Sequence, residues 1–185
     1  MLLSLTAALA AVATLVAVSL ALYTDTETVP GNTFVSDTVD LTATPATAVV
    51  SMPVMLPGDR VTAPVTVTNS GGAELRYAMT STTTEDVLAG ELVLTVRIGV
   101  SNCSNVGFLA DGTELSVGRL GSVAATAVFG NVASGGDVGD RVLPSAASET
   151  LCLQVELPLS APDSTEGLST TATFTFEGEQ TANNP

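Results

Sequence analysis

Residues 61–68 read VTAPVTVT, and this run decides the class of fold. Apolar and polar residues alternate along it, so the odd-numbered positions from Val61 to Val67 share one face of an extended strand. Pro64 has no amide proton to donate to a neighbouring strand, which indicates an edge strand or a bulge at this position. The run therefore predicts a half-buried β-strand.

Similar alternation recurs along the rest of the chain, punctuated by turn residues. Asn69–Gly72 supplies the first turn. Much later in the chain, Pro158 ends the predicted strand at residues 151–157. The further predicted strands cover residues 75–79, 92–98, 151–157 and 171–177, with Phe174 and Phe176 facing inward in the last one. Residues 84–89 predict one short helical turn, and weak strands are expected near Phe108 and Val128, before a Gly-rich loop at residues 135–140.

The composition agrees with a strand-rich fold. Hydrophobic residues make up 45% of the chain, yet aromatic residues make up only 4% and Trp is absent, so the core must come from Val, Leu, Ala and a few Phe. Seven or more short strands with almost no helical period predict an all-β antiparallel β-sandwich, with Greek-key or jelly-roll-like wiring, after an N-terminal signal peptide.

The charge balance and the missing histidine exclude several classes of function. A net charge of −14 offers no basic patch for phosphates, so we expect no nucleic-acid partner. Without His, neither a His-Glu-x-x-His zinc helix nor a Ser–His or Cys–His nucleophile pair can form. We therefore expect no enzyme, no catalytic residue, no metal site and no cofactor. Residues 137–140 (DVGD) are the best calcium candidate, with an acidic solvated loop as the alternative.

The N-terminal segment predicts export. Residues 1–22 are apolar except for a few Ser and Thr, and carry no charge. Ser19 and Ala21 supply the small residues that signal peptidase requires, which predicts cleavage between Ala21 and Leu22. The alternative is a retained membrane helix. We expect the membrane to be contacted only through the uncleaved leader.

Cys103 and Cys152 are the only cysteines. An even pair in an exported chain usually forms a disulfide, here across a separation of 49 residues. Two buried thiols are the alternative. Leu151, Leu153 and Val155 are alternate residues that face inward. Cys152 lies between two of them in sequence, so its side chain should point to the outward face of the strand.

Three blocks of sequence resemble the TasA/camelysin family of biofilm-matrix fibre proteins, which is related to archaeal bundling pili. These blocks are LYTDTET at residues 22–28 with GNTF at 31–34 and VDL at 39–41, LPGD at 56–59 with NSG at 69–71, and LQVELP at 153–158 with FTFEGEQTANN at 174–184. Members of the family are cut by a dedicated signal peptidase just ahead of an aromatic-x-Asp-x-Glu segment.

The resemblance implies a division into a signal peptide at residues 1–21, a donor-strand segment at 22–32 and a β-sandwich at 33–185. The donor strand would add to a sheet of the next subunit. Its residues are Leu22, Tyr23, Thr24, Asp25, Thr26, Glu27, Thr28 and Val29. A first strand paired within its own subunit is the alternative.

The implied function is a secreted structural subunit of the extracellular matrix or cell surface. Its expected partners are further copies of itself in a head-to-tail fibre, the signal peptidase, and other matrix proteins. Two alternatives remain open: a pilin-like subunit that retains its N-terminal helix, and a monomeric surface-binding β-sandwich.

Overall fold

The computed structural model of the protein describes residues 36–46, 50, 52 and 54–184. In these residues nine strands form two antiparallel sheets, and one short α-helix lies outside the sheets. In chain order they are β1 (Leu41–Thr44), β2 (Arg60–Asn69), β3 (Leu75–Thr83), α1 (Val87–Glu91), β4 (Val93–Ile98), β5 (Thr113–Arg119), β6 (Thr126–Phe129), β7 (Arg141–Leu143), β8 (Ser148–Glu156) and β9 (Ala172–Gln180). A 3-10 turn at Asp163–Thr165 lies between the last two strands.

The two sheets have different strand orders. The first contains five strands in the order β1-β2-β8-β4-β5, so β8 lies at its centre. In the second, β9 pairs along the whole length of β3, while β6 and β7 pair with the two halves of β3 along its other edge. All pairings are antiparallel, which confirms the predicted all-β antiparallel fold; the jelly-roll wiring stays a prediction.

A single apolar cluster fills the space between the sheets. The first sheet contributes alternating residues of β2, β4 and β8, such as Val67, Val96 and Leu153, all of which are fully buried. The second contributes Leu75 and Met79 from β3, together with Tyr77, whose ring meets that of Phe129 edge-on at 5.8 Å between centroids. Burying each large aliphatic side chain contributes roughly 1.5–3 kcal/mol, so these alternating runs explain why the strands form as predicted.

The middle of the chain departs from the prediction in four places. Phe108 lies in a turn rather than a strand, and neither β5 nor β7 was predicted. The strand near Val128 is confirmed as β6. The helix begins at Val87 rather than Thr84, because the carboxylate of Glu85 accepts hydrogen bonds from the amides of residues 87–89 and so caps the first turn.

Asn69 holds together the turn between β2 and β3. It is fully buried, and its side-chain amide donates to the carbonyl oxygens of Ala73, Leu143 and Pro144 at 2.9–3.1 Å. Its Oδ1 accepts a hydrogen bond from the amide of Gly71. The residue that sequence alone assigned to a simple turn therefore joins both sheets.

Replacing Asn69 with Ala should leave these buried backbone groups without their partners. We expect Asn69→Ala to lower the free energy of unfolding by about 3 kcal/mol, measured by denaturant titration of the purified protein. Asn105→Ala is the matched control, because Asn105 is exposed and donates a single hydrogen bond, to the carbonyl of Arg60; its cost should stay below about 1 kcal/mol. Equal costs for the two variants would contradict this role for Asn69.

Candidate functional site

A groove of about 780 Å³ opens between the two sheets, along the side where β1 and β9 form their edges. Leu41 and Ala43 of β1 line one wall, and Phe174 and Phe176 of β9 line the other. The segment that follows β1 also lines the groove, through Pro45, Ala46, Val50, Met52 and Met55. The floor consists of core residues from both the strands and the loops, namely Val61, Val65, Leu92, Leu120 and Val155. The apolar interior of the sandwich is thus accessible from this side.

One side of the groove is formed by an unpaired edge of β9. On one side β9 pairs with β3 over its full length; on the other side no strand among the described residues pairs with it. Phe174 and Phe176 face the interior, as predicted, but they are only half-buried. No strand among the described residues pairs with β9 beside them, although Val50, Met52 and Met55 line the same groove. An edge of this kind presents unpaired backbone donors and acceptors next to apolar side chains.

The β1 wall is short. β1 pairs with residues 66–69 of β2 and ends at Thr44, so the first half of β2 has no paired strand on that side within the described part of the chain. The exposed Pro64 lies in this half, which fits the expectation that it marks an edge. Leu41 lies against Gly178, where a β-carbon would stand 3.0 Å from its Cδ2, so β1 and β9 meet at one end of the groove.

The lining of the groove is uncharged. Every described residue that lines it is either apolar or a threonine, although the chain as a whole carries a net charge of −14. The threonines come mainly from residues 170–175, where β9 begins. Such a surface can accept an extended segment with apolar or hydroxyl side chains, whereas a buried carboxylate would be left without a compensating charge.

A polar bridge between the sheets lies apart from the groove. The Tyr77 hydroxyl of β3 donates to Glu149 Oε1 of β8 at 2.7 Å, and Arg141 of β7 donates to Glu149 Oε2 at 2.5 Å. Burial raises the pKa of the Tyr77 hydroxyl well above its ordinary value, and the hydrogen bond to Glu149 raises it further. The bridge satisfies these polar groups with one another, which indicates a structural role.

A smaller cavity of about 180 Å³ lies beside Arg76 on the outer side of β3. The guanidinium of Arg76 donates to Glu179 at 2.7 Å and also contacts the carbonyl of Asn184. Hydrogen bonding by Arg76, followed by the amide of Gly135, lowers the pKa of Glu179. These contacts fasten the end of β9 and the tail to the loop at residues 131–136, so the charged groups here are already paired.

The two cysteines predicted to pair are joined in the structure. Cys103 and Cys152 form a disulfide with their Cα atoms 5.6 Å apart. Cys152 points away from the core between the sheets, as expected, yet it is 1% exposed. It is covered by the loop at residues 99–112, whose ends, Gly99 and Gly112, have φ of 67° and 80°, a backbone region that favours glycine.

The 99–112 loop covers the outer face of the first sheet. Phe108, at 1% exposure, lies within this loop, and the guanidinium of Arg97 stands 5.7 Å from its ring centroid. Arg97 also donates to the carbonyls of Asp111 and Gly112. The loop is therefore a third layer that the alternating pattern of β8 did not predict.

The remaining predicted site residues divide into two groups. The cleavage pair Ala21 and Leu22 and the donor segment 22–29 lie outside the described residues. Asp140, the end of the calcium candidate, uses its carboxylate to accept hydrogen bonds from the amides of Asn131 and Asp137. Within residues 36–46, 50, 52 and 54–184, no cluster of acidic or cysteine side chains has the geometry of a metal site.

The groove itself was missed at the sequence level. The alternation of Phe174 and Phe176 was recognised, but alternation alone does not reveal which strands form the edges of a sheet. The shortness of the apolar run at residues 41–44, next to the longer strand at 60–69, is the signal that could have indicated an incomplete wall. In the described part of the chain, no helix has the length and apolar composition needed to cross a bilayer.

Comparison with known proteins gives a family match, and the solved structures that match include two distant likenesses. A family model described as camelysin metallo-endopeptidase matches residues 3–99, just over half of the chain. The sporulation control protein Spo0M from Bacillus subtilis is 12% identical with a TM-score of 0.30, over 79% of this chain and 47% of Spo0M, so the chain spans about half the length of that protein.

The second structure is a PapD-like domain of human CEP192, 14% identical with a TM-score of 0.29, over 86% of this chain and 95% of that domain. TM-scores this low do not define a shared topology. No curated protein matches the chain.

Proposed function

We propose that this chain is a secreted structural subunit of extracellular fibres. The proposal starts from its family: the chain belongs to the camelysin metallo-endopeptidase family, which is the TasA/camelysin family that its sequence resembles. In this proposal residues 1–21 are a signal peptide, residues 22–32 carry the donor strand and residues 33–185 form the β-sandwich. Subunits polymerise by donor-strand exchange, in which segment 22–29 of one copy adds to a sheet of the next.

The observation that supports the proposal is the uncharged groove beside the free edge of β9. An inserted strand would pair with the unpaired backbone of β9 and cover the half-buried Phe174 and Phe176. The inserted strand would also lie against the apolar residues that follow β1 along the groove, Pro45, Ala46, Val50, Met52 and Met55. A segment from the N-terminus of one copy that enters a groove of another makes a heterologous contact, and repetition of such a contact gives an open filament.

The signal peptide then controls assembly. Before cleavage, the donor segment is continuous with the apolar residues 1–21, which are held by the export machinery and the membrane. Cleavage between Ala21 and Leu22 releases the donor so that it can reach a neighbouring groove. The expected partners are thus the signal peptidase and further copies of the chain, with other matrix proteins joining the finished fibre.

Two measurements on the exported protein test this proposal. Mass spectrometry should find an N-terminus at Leu22, and electron microscopy of the secreted material should show fibres. An intact leader within the fibres would favour the pilin-like alternative. A cleaved protein that sediments as a monomer at about 100 μM, where an association with a Kd of about 1 μM would be nearly complete, would favour the monomeric surface-binding module.

The family name refers to a metallo-endopeptidase, but we propose a non-enzymatic role for this chain. A zinc peptidase helix needs two His side chains, and none of the 185 residues is His. Paired carboxylates are present, yet the described groove is lined by none of them. The groove therefore offers surface for binding a strand without supplying a general base or a nucleophile.

We expect the purified protein to show no peptidase activity of its own. Casein incubated with it, with and without added Zn²⁺, should remain intact over a day. The matched control is the same preparation after treatment with a chelator, which should give an identical result. Cleavage that co-purifies with the folded chain and disappears on chelation would contradict a purely structural role.

A further inference from the structure

The donor segment has two chemically different faces. In an extended strand successive side chains point to opposite sides. Leu22, Thr24, Thr26 and Thr28 therefore share one face, and none of these side chains is charged. The other face carries two carboxylates, Asp25 and Glu27, between Tyr23 and Val29. Only one of these faces can point into a groove at a time.

The groove discriminates between the two faces by charge. Its described lining contains no charged side chain, so a carboxylate that pointed into it would lose its hydration without gaining a cationic partner. A threonine that points inward keeps its methyl group in contact with apolar neighbours, and its hydroxyl can bond to a backbone group or to Thr170, which also lines the groove. Burying carboxylates costs much more free energy than burying hydroxyls.

We infer that segment 22–29 of one subunit enters the groove of a second copy with the Leu22, Thr24, Thr26 and Thr28 face inward. The inference rests on the proposed donor-strand function and adds to it the residues that determine specificity. Asp25 and Glu27 then lie on the solvent-facing side, where β9 presents the exposed Thr173 and Thr175. Neutral neighbours of this kind tolerate acidic side chains across a strand pair.

The segment is long enough for this arrangement. Eight extended residues span about 26 Å, whereas the part of β9 that lines the groove, residues 172–176, spans about 17 Å, so the segment would reach past the start of β9 toward Thr170 and Thr171. Leu22 supplies the largest apolar side chain of the inward face, and it lies at the terminus that cleavage exposes. The unprocessed chain instead continues from Leu22 into the leader, so the end of the inward face is free only after the cut.

A composition-neutral exchange tests the choice of face. The double substitution Thr26→Glu/Glu27→Thr in the full chain moves one carboxylate from the outward to the inward face and leaves the net charge unchanged. We expect this variant to be exported and cleaved, yet to form at least about a hundredfold less fibre by electron microscopy and sedimentation. The matched control Asp25→Glu/Glu27→Asp keeps both carboxylates outward and should form fibres at the normal level.

Synthetic peptides give the same test without relying on export of a variant. A peptide of residues 22–30 added to growing fibres should cap their ends and stop elongation, whereas the peptide with the same exchange at positions 26 and 27 should need at least about a hundredfold higher concentration. Equal capping by the two peptides would overturn the assignment of the inward face.

Failure of this inference can be told apart from failure of the proposed function by a third variant, in which Ala21 is joined directly to Gly31. If the exchange variant forms normal fibres while this truncated variant forms none, donor-strand exchange is supported and the assignment of the inward face is wrong. If the truncated variant also forms normal fibres, donor-strand exchange itself is wrong.

Discussion

Joining Ala21 directly to Gly31 should abolish fibre formation while leaving the β-sandwich folded. The variant loses residues 22–30, and none of the strands or core residues described here lies in that range. It keeps the groove, the free edge of β9 and the half-buried Phe174 and Phe176, but it has nothing to insert into a neighbour. We expect a monomer in sedimentation and no fibres in electron micrographs.

The truncated subunit also allows a positive test. Because a ligand that binds only the folded state stabilises it, the peptide of residues 22–30 at 100 times its Kd should stabilise the variant by about 2.7 kcal/mol. Thermal unfolding with and without the peptide measures this effect, and a peptide of shuffled sequence is the control. Mass spectrometry confirms that the leader has been removed. Normal fibres from a correctly cleaved truncated variant would contradict the mechanism and favour lateral packing of sandwiches.

Loss of the disulfide should be the most damaging change to the stability of the subunit. The bond closes a loop with a separation of 49 residues, and the chain-entropy model assigns about 4 kcal/mol to a loop of this size. Cys103→Ala/Cys152→Ala should lower the free energy of unfolding by about that amount in a denaturant titration. The loss should also raise hydrogen exchange in the 99–112 loop, since this loop is tied to β8 through Cys103.

Peptide mapping without reductant provides the control for this prediction. It should recover the peptides of Cys103 and Cys152 joined to each other within one chain. Two free thiols, or bonds between chains, would contradict the intramolecular pairing. The same loss of stability is expected when the unsubstituted protein is unfolded in the presence of a reductant, which separates the effect of the bond from that of the alanine side chains.

The strands whose alternation is clear could be predicted because their pattern records burial on one face. Residues 61–68 and 151–157 form β2 and β8 as expected, with Val67 and Leu153 fully buried. The middle of the chain could not be predicted in the same way. Phe108 is buried by the arrangement of the 99–112 loop around Arg97, a contact that depends on tertiary structure and leaves no periodic signal.

The groove was beyond prediction for a related reason. Phe174 and Phe176 have the pattern of inward-facing residues, but their half-burial depends on β9 being an edge strand. Edge position follows from the order of strands in a sheet, which involves pairings between residues far apart in the chain, such as Leu75 with Gln180. A local pattern therefore predicts which residues face inward without revealing that the sheet is open beside them.

The disulfide also affects how the subunit withstands proteolysis. Cys103 and Cys152 close a covalent ring that contains β5, β6, β7 and the exposed glycine-rich stretch at residues 133–139. Exposed loop tips of this composition are preferred sites of nicking. A single cut anywhere inside the ring opens it but releases no fragment, because the two ends stay joined through sulfur. In a fibre whose subunits each carry a link to the next, one nick in this region would leave the covalent path from Gly31 to the end of β9 unbroken.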